Sequence, residues 1–193
     1  MSLQEEKERF ISLAKTIDRP GLIQLLDYLE TETDFYTAPA SASFHGAEEG
    51  GLLAHSLAVY DSLMTLMQAF SQELEQESAC LCALFHDLCK ANFYRKGFRN
   101  RKNETTGQWE KVEVYEIDDQ LPLGHGEKSV MLLQKFIPLT EEEMLAIRWH
   151  MGGFDDTARS YAGGQSLSGA MKRYSLVPAL HMADMATCYF AGK

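Results

Sequence analysis

Ala79-Cys80-Leu81-Cys82-Ala83-Leu84-Phe85-His86-Asp87 runs seven apolar residues directly into two ionisable ones. A helical stretch that is apolar on every side belongs in the middle of a protein, because no face of it gains from water. The spacing predicts a buried central helix over residues 74–92, and with it a helical fold assembled around that helix. It also places His86 and Asp87 where an unpartnered imidazole or carboxylate costs several kcal/mol.

The flanking sequence reads mostly as helix. Upstream, Gly50-Gly51 opens a helix expected to run to about Ser71, with Leu53, Leu57, Tyr60, Met64 and Met67 recurring at steps of four and three on one face. Residues 3–17 and 21–31 read as two amphipathic helices broken at Arg19-Pro20-Gly21, and residues 32–50 as a loop. Downstream, helices are expected over 125–136 and 141–150, the second opened by a capping box of Thr140 and Glu143 and stopped at Gly152-Gly153. Residues 153–164 read as a loop and 166–174 and 176–190 as a last helical pair, with Pro178 near the start of the final helix. Only residues 93–118 break the pattern. Val112, Val114 and Tyr115 favour strand and Asn103 to Gly107 favours a turn, so a β-hairpin inserted in an all-α protein is expected. The 193 residues suit one unit spanning 1–193, with residues 1–31 as N-terminal helices and 93–118 as the insertion.

Composition narrows the functional classes. No apolar run approaches the ~20 residues that cross a bilayer, and the acidic start Met1 to Glu6 lacks the apolar stretch of a signal peptide, so a cytoplasmic protein with no membrane partner is expected. Cys80 and Cys82 form C-x-C, not the C-x-x-C of zinc or redox sites, and with Cys89 and Cys188 they read as buried thiols. A net charge of −10 argues against nucleic-acid binding by the surface as a whole. The charge is uneven, however: six of the 18 basic residues (Lys90, Arg95, Lys96, Arg99, Arg101, Lys102) fall in an acid-free stretch from Lys90 to Asn103, a candidate anion site.

Histidines and aspartates recur in apolar surroundings. His55 lies beside the apolar face of its helix, His150 ends Met144-Leu145-Ala146-Ile147-Arg148-Trp149-His150, and Asp184 lies within Leu180-His181-Met182-Ala183-Asp184-Met185-Ala186. One such group could be satisfied by a hydrogen bond. Several on separate buried helices are better explained by a shared divalent transition metal, for which imidazole and carboxylate are natural donors.

The ordered motifs Gly50-Gly51-Leu52-Leu53-Ala54-His55, His86-Asp87-Leu88-Cys89-Lys90, Gly124-His125-Gly126-Glu127-Lys128-Ser129, Trp149-His150 and Ala183-Asp184-Met185 resemble those of the HD-domain phosphohydrolase superfamily, in the order H…HD…H…H…D over roughly residues 45–190. The resemblance implies an HD-domain-like helical bundle in which His55, His86, Asp87 and Asp184 hold one metal. It further implies that His125 and His150 hold a second, bridged by Asp87, or contact substrate instead. The metal is expected among Fe, Mn, Co, Ni and Zn, with Mg also open. The implied activity is metal-dependent hydrolysis of a phosphoester by a metal-activated water, on a nucleotide, a dinucleotide or a nucleic-acid end. The resemblance does not extend to the HD-GYP subfamily: Gly51 stands where that group has a glutamate, and its GYP signature is missing.

Lys90, three residues after Asp87, is expected on the same helix face, where its ammonium would stabilise charge on a phosphate oxygen. His45 is a further candidate for phosphate contact. In an extended segment Arg95, Arg99 and Arg101 share one face, interleaved by Phe93, Tyr94 and Phe98, as would suit phosphate and base. Two other readings stay open at this stage. One is a non-catalytic nucleotide or nucleic-acid binding module on the same fold, and the other is a di-iron oxidation chemistry.

Overall fold

A computed structural model describes residues 1–43, 46–70 and 74–190. Among these residues the chain forms eight α-helices and one two-stranded antiparallel sheet. The helices are α1 (Leu3–Ala14), α2 (Leu22–Thr31), α3 (Gly51–Ala69), α4 (Gln76–Phe85), α5 (His125–Leu133), α6 (Glu141–Trp149), α7 (Tyr161–Arg173) and α8 (Leu176–Phe190). The strands β1 (Tyr94–Lys102) and β2 (Trp109–Ile117) pair in register from Tyr94↔Ile117 to Lys102↔Trp109.

Helix α4 is the axis of the structure. Every residue from Ser78 to Phe85 is buried, and the helix packs against α1, α3, α6 and α8. Full burial of Leu81, Leu84 and Phe85 contributes about 1.5–3 kcal/mol per side chain. At the C-terminal end of α4, Phe10 of α1 sits among Phe35, Tyr36 and Phe85, with ring centroids 5.3, 5.8 and 5.4 Å away. A buried charged network closes the other side. Arg19, in the break between α1 and α2, binds Glu77 of α4 and Glu143 of α6, and Glu143 is completely buried. The Thr140–Glu143 capping box forms as the sequence requires. Its glutamate therefore does two jobs, capping α6 and neutralising Arg19.

Besides α5, which stops at Leu133 and not at residue 136, three boundaries differ from the sequence expectation. First, α4 ends at Phe85, so His86 and Asp87 form its exit; Leu88–Lys90 then make a single 3-10 turn. Asp87 has φ −103° and ψ 21°, outside the helical region, and Ser129 of α5 accepts a hydrogen bond from the Cys89 amide at 3.1 Å. Contacts from α5 thus turn the chain where its own pattern would continue. Second, α7 begins at Tyr161, not at about Ser166, and residues 152–154 and 156–159 are 3-10 turns. The glycines 163 and 164 suggest a loop, but the Ser160 hydroxyl accepts from the Gly163 amide at 3.0 Å and starts the helix there. Third, α1 stops at Ala14, although Ile17 remains buried.

The start of α3 shows why a glycine pair precedes His55. Gly50 has φ 80°, in the left-handed region, and a Cβ on Gly51 would lie 2.1 Å from the Gly46 carbonyl oxygen. This close approach, with the Leu52 amide bound to the Ala38 carbonyl, fixes the first turn of α3 and hence the direction of His55 one turn later.

Candidate metal centre

Six side chains from five parts of the chain come together around the carboxylate of one of them, Asp87. His55 comes from α3, His86 and Asp87 from the exit of α4, His125 from the first position of α5, His150 from the end of α6 and Asp184 from α8. The carboxylate divides them. On its Oδ2 side His55 Nε2 and His86 Nε2 each lie 3.5 Å away, with Lys90 Nζ at 2.7 Å. On its Oδ1 side are His125 Nε2 at 2.6 Å and His150 Nε2 at 3.4 Å. Asp184 Oδ1 completes the first side, 3.2 Å from His55 Nε2. His55–His86–Asp87 and Asp87–His125–His150 each bring three donor atoms within 4.8 Å of one another. The two groups share only Asp87.

The donor chemistry fits a cation. His86 Nδ1 donates to the Ala83 carbonyl at 2.9 Å and His150 Nδ1 to the Ile147 carbonyl at 2.7 Å. A carbonyl can only accept, so each ring keeps its proton on Nδ1 and presents the Nε2 lone pair to the centre. Two further observations agree. His55 Nε2 and His86 Nε2 stand 3.2 Å apart, both facing the same point. His150 Nε2 is buried and makes no hydrogen bond. An orphaned buried nitrogen aimed at a carboxylate is costly in a protein without a ligand and is satisfied by a metal.

Electrostatics prepare the groups unequally. Burial opposes ionisation of Asp87, but Lys90 and His125 outweigh it and hold the carboxyl well below the usual range. Burial likewise opposes the charge on Asp184, and the hydrogen bond with His55 leads the effects that overcome it and lower its pKa. His150 is pushed down, chiefly by burial, and stays neutral. Lys90 is raised despite its burial, because the Asp87 charge and hydrogen bond dominate. His125 is also raised against burial, by Cys89 and Asp87, to about 10. In the metal-free protein His125 therefore carries a proton that a metal would displace.

Support from outside the cluster is specific. His181, one turn before Asp184, donates from Nδ1 to the His150 backbone carbonyl at 2.6 Å rather than to the aspartate. A Cβ on Gly152 (φ 53°) would lie 2.4 Å from the His181 ring, so the glycine that stops α6 also makes room for this contact. Glu127 receives Arg148 at 2.5 Å, and Arg148 reaches Asp155 at 2.5 Å, tying α5 to α6 and to the turn beyond it.

A cavity of about 680 Å³ opens on the cluster. Its walls include His55, Asp87, Lys90, His181, Asp184 and Phe154. The sequence-derived residues His55, His86, Asp87, Lys90, His125, His150 and Asp184 are thus brought together. Arg95 and Arg99 are not: they are exposed on β1, beside Glu116 of β2 at 3.5 and 4.0 Å, and Arg101 pairs in register with Glu110. None of the three arginines is among the described residues that line the cavity. His45 lies outside the described residues. Two cysteines escaped the sequence reading. Cys89 Sγ lies 3.3 Å from His125 Nδ1, and Cys188 Sγ donates to Asp184 Oδ1 at 3.6 Å. Cys188 falls four residues after Asp184, a spacing that puts both on one helix face, and this was the available clue. Its thiol, pushed up to about 12 by burial and by Asp184, stays protonated.

No family model, no curated protein and no solved structure matches this chain. No helix among the described residues is long and apolar enough to cross a membrane.

Proposed function

We propose that this protein is a metal-dependent phosphohydrolase of the HD-domain kind, acting on a phosphoester of a nucleotide, a dinucleotide or a nucleic-acid end. The observation that carries the reading is the division of the Asp87 carboxylate, with one oxygen facing His55 and His86 and the other facing His125 and His150. A carboxylate shared in this way suits two adjacent cations, with His55, His86, Asp87 and Asp184 holding one and Asp87, His125 and His150 the other. Bound there, such ions supply Lewis acidity toward a phosphoryl oxygen and lower the pKa of water.

The chain's own residues do the rest. The backbone-pinned rings of His86 and His150 fix the donors without reorganisation, and Asp87, already ionised, contributes the negative charge that holds cations in a buried site. Lys90 is held protonated at the cavity wall, where it can bind a non-bridging phosphate oxygen and stabilise charge as it develops. The apolar part of the cavity, with Met151, Phe154 and Tyr189, accommodates the organic group of the ester and excludes bulk water.

The test is turnover of bis-p-nitrophenyl phosphate and a nucleotide panel after loading with Mn²⁺, Co²⁺, Ni²⁺ or, anaerobically, Fe²⁺. Hydrolysis with at least one ion is expected, and loss of both metal and activity in Asp87→Ala. Absence of turnover with every ion refutes the proposal.

A further inference from the structure

The two faces of the β1–β2 hairpin differ in a way that the order of residues hides. The register Lys102↔Trp109, Phe98↔Glu113 and Tyr94↔Ile117 puts these side chains on one face, because alternate residues of a strand point the same way. Three of them are large and open to water: Trp109 is 72%, Ile117 63% and Phe98 58% exposed. The same face carries Lys96, Lys102 and Lys111 against a single acid, Glu113, which binds Lys96 at 3.2 Å. Lys111 lies over the Phe98 ring, 4.4 Å from its centroid. The opposite face holds the three arginines, but Glu116 and Glu110 stand beside them.

On a chain of net charge −10, a positive face with exposed aromatic rings is a local exception. Its chemistry is that of a stacking platform: flat π-surfaces for bases, spaced by ammonium groups for phosphates. The face is also continuous with the metal centre. Tyr94, at its inner end, places its hydroxyl 3.5 Å from the carbonyl of Ala40, a residue of the cavity wall. From Tyr94 to Lys102 the nine residues of β1 extend about 30 Å, enough for roughly four nucleotides, the lower end of known single-strand site sizes.

We propose that the Lys96–Phe98–Trp109 face binds single-stranded nucleic acid and leads it, past Tyr94, to the cavity at Asp87. Binding stands on the hairpin alone; delivery to the cavity rests on the phosphohydrolase reading. Base stacking and backbone charge make recognition tolerant of sequence, and salt weakens it.

The experiment is fluorescence anisotropy of end-labelled oligothymidylate and oligouridylate of about 12 nucleotides, in chelator and at about 50 mM salt. Wild type should bind at least one of them. Phe98→Ala and Trp109→Ala should each weaken binding by roughly five- to a hundredfold, and Lys102→Gln should flatten the slope of log K against log salt by roughly 0.7. These side chains are exposed, so the variants should fold, and circular dichroism checks that they do. No binding by wild type, or variants that bind as wild type does, overturns the proposal and leaves the face to a protein partner. Because binding is read in chelator, the two readings fail separately. A chain that binds oligonucleotide yet hydrolyses nothing loses the phosphohydrolase assignment alone. One that cleaves bis-p-nitrophenyl phosphate and binds no oligonucleotide loses the platform.

Discussion

Asp87→Asn is the sharpest perturbation of the candidate metal centre, because it removes one charge and almost no volume. Asp87 belongs to both donor groups that contain two histidines, so the substitution removes the only carboxylate beside His125 and His150 and leaves Asp184 as the one carboxylate beside His55, in a group whose third member, Cys188, is a protonated thiol. A metal that binds only the folded state stabilises it by RT ln(1 + [L]/Kd), about 2.7 kcal/mol at a hundredfold excess over Kd. For a chain of this size each kcal/mol moves Tm by roughly 2–4 °C, so saturating Mn²⁺ should raise the wild-type midpoint by about 5–11 °C. In Asp87→Asn the rise should fall below about 2 °C, since neutral amide oxygen is a poor substitute for a bridging carboxylate. The metal-free variant should itself be less stable. Lys90 Nζ loses a charged acceptor 2.7 Å away, and a hydrogen bond between charged groups is worth about 1.5–3 kcal/mol. Both quantities come from one experiment, scanning calorimetry with chelator or with metal. An Asp87→Asn protein whose midpoint rises as far as wild type's with Mn²⁺ would refute the assignment of Asp87 as the shared ligand.

Lys90→Gln should keep metal content and lower kcat by about 10²–10³, the usual cost of removing a group that stabilises transition-state charge; an unchanged kcat makes Lys90 a structural partner of Asp87 only. Metal binding should release a proton from His125 at any pH below about 10, read by titration calorimetry in buffers of different ionisation enthalpy, and buffer-independent heats contradict it. Glu143→Gln should cost about 3 kcal/mol, because Arg19 is left without its buried carboxylate. Burial raises the Glu143 pKa, but Arg19 and Ser78 outweigh it and hold the folded-state value below the ordinary 4.5. The contribution is therefore complete above about pH 4.5 and disappears as pH falls through the lower folded value, so the gap between wild type and variant should close on acidification. A gap constant with pH denies the ion pair this role.

The candidate metal-binding residues were readable from sequence because their cost was. His86, Asp87, His150 and Asp184 sit in segments whose apolar neighbours force burial, and a buried ionisable group must have a partner. Cys89 and Cys188 were not readable, since a cysteine in an apolar segment needs no explanation; of the four cysteines expected to be buried, Cys188 is only partly so. The hairpin was legible as a hairpin, from its β-branched residues and turn, but not as a charge distribution. Its basic first strand pairs with a second strand carrying Glu110, Glu113 and Glu116, and only the register shows which acid faces which base.

Apolar periodicity and capping residues by themselves determined that this chain is mainly helical, that α4 lies at its centre and that α6 begins at Thr140, because these follow from local hydrogen bonding and from which faces avoid water. The tertiary structure alone decided where α4 stops, which nitrogen each histidine presents, and which oxygen of Asp87 each histidine faces. Those depend on placing elements to within about an ångström of one another although they lie as far apart in the chain as His55 and Asp184, set by how α3, α5, α6 and α8 pack around the same centre, and no local pattern encodes them.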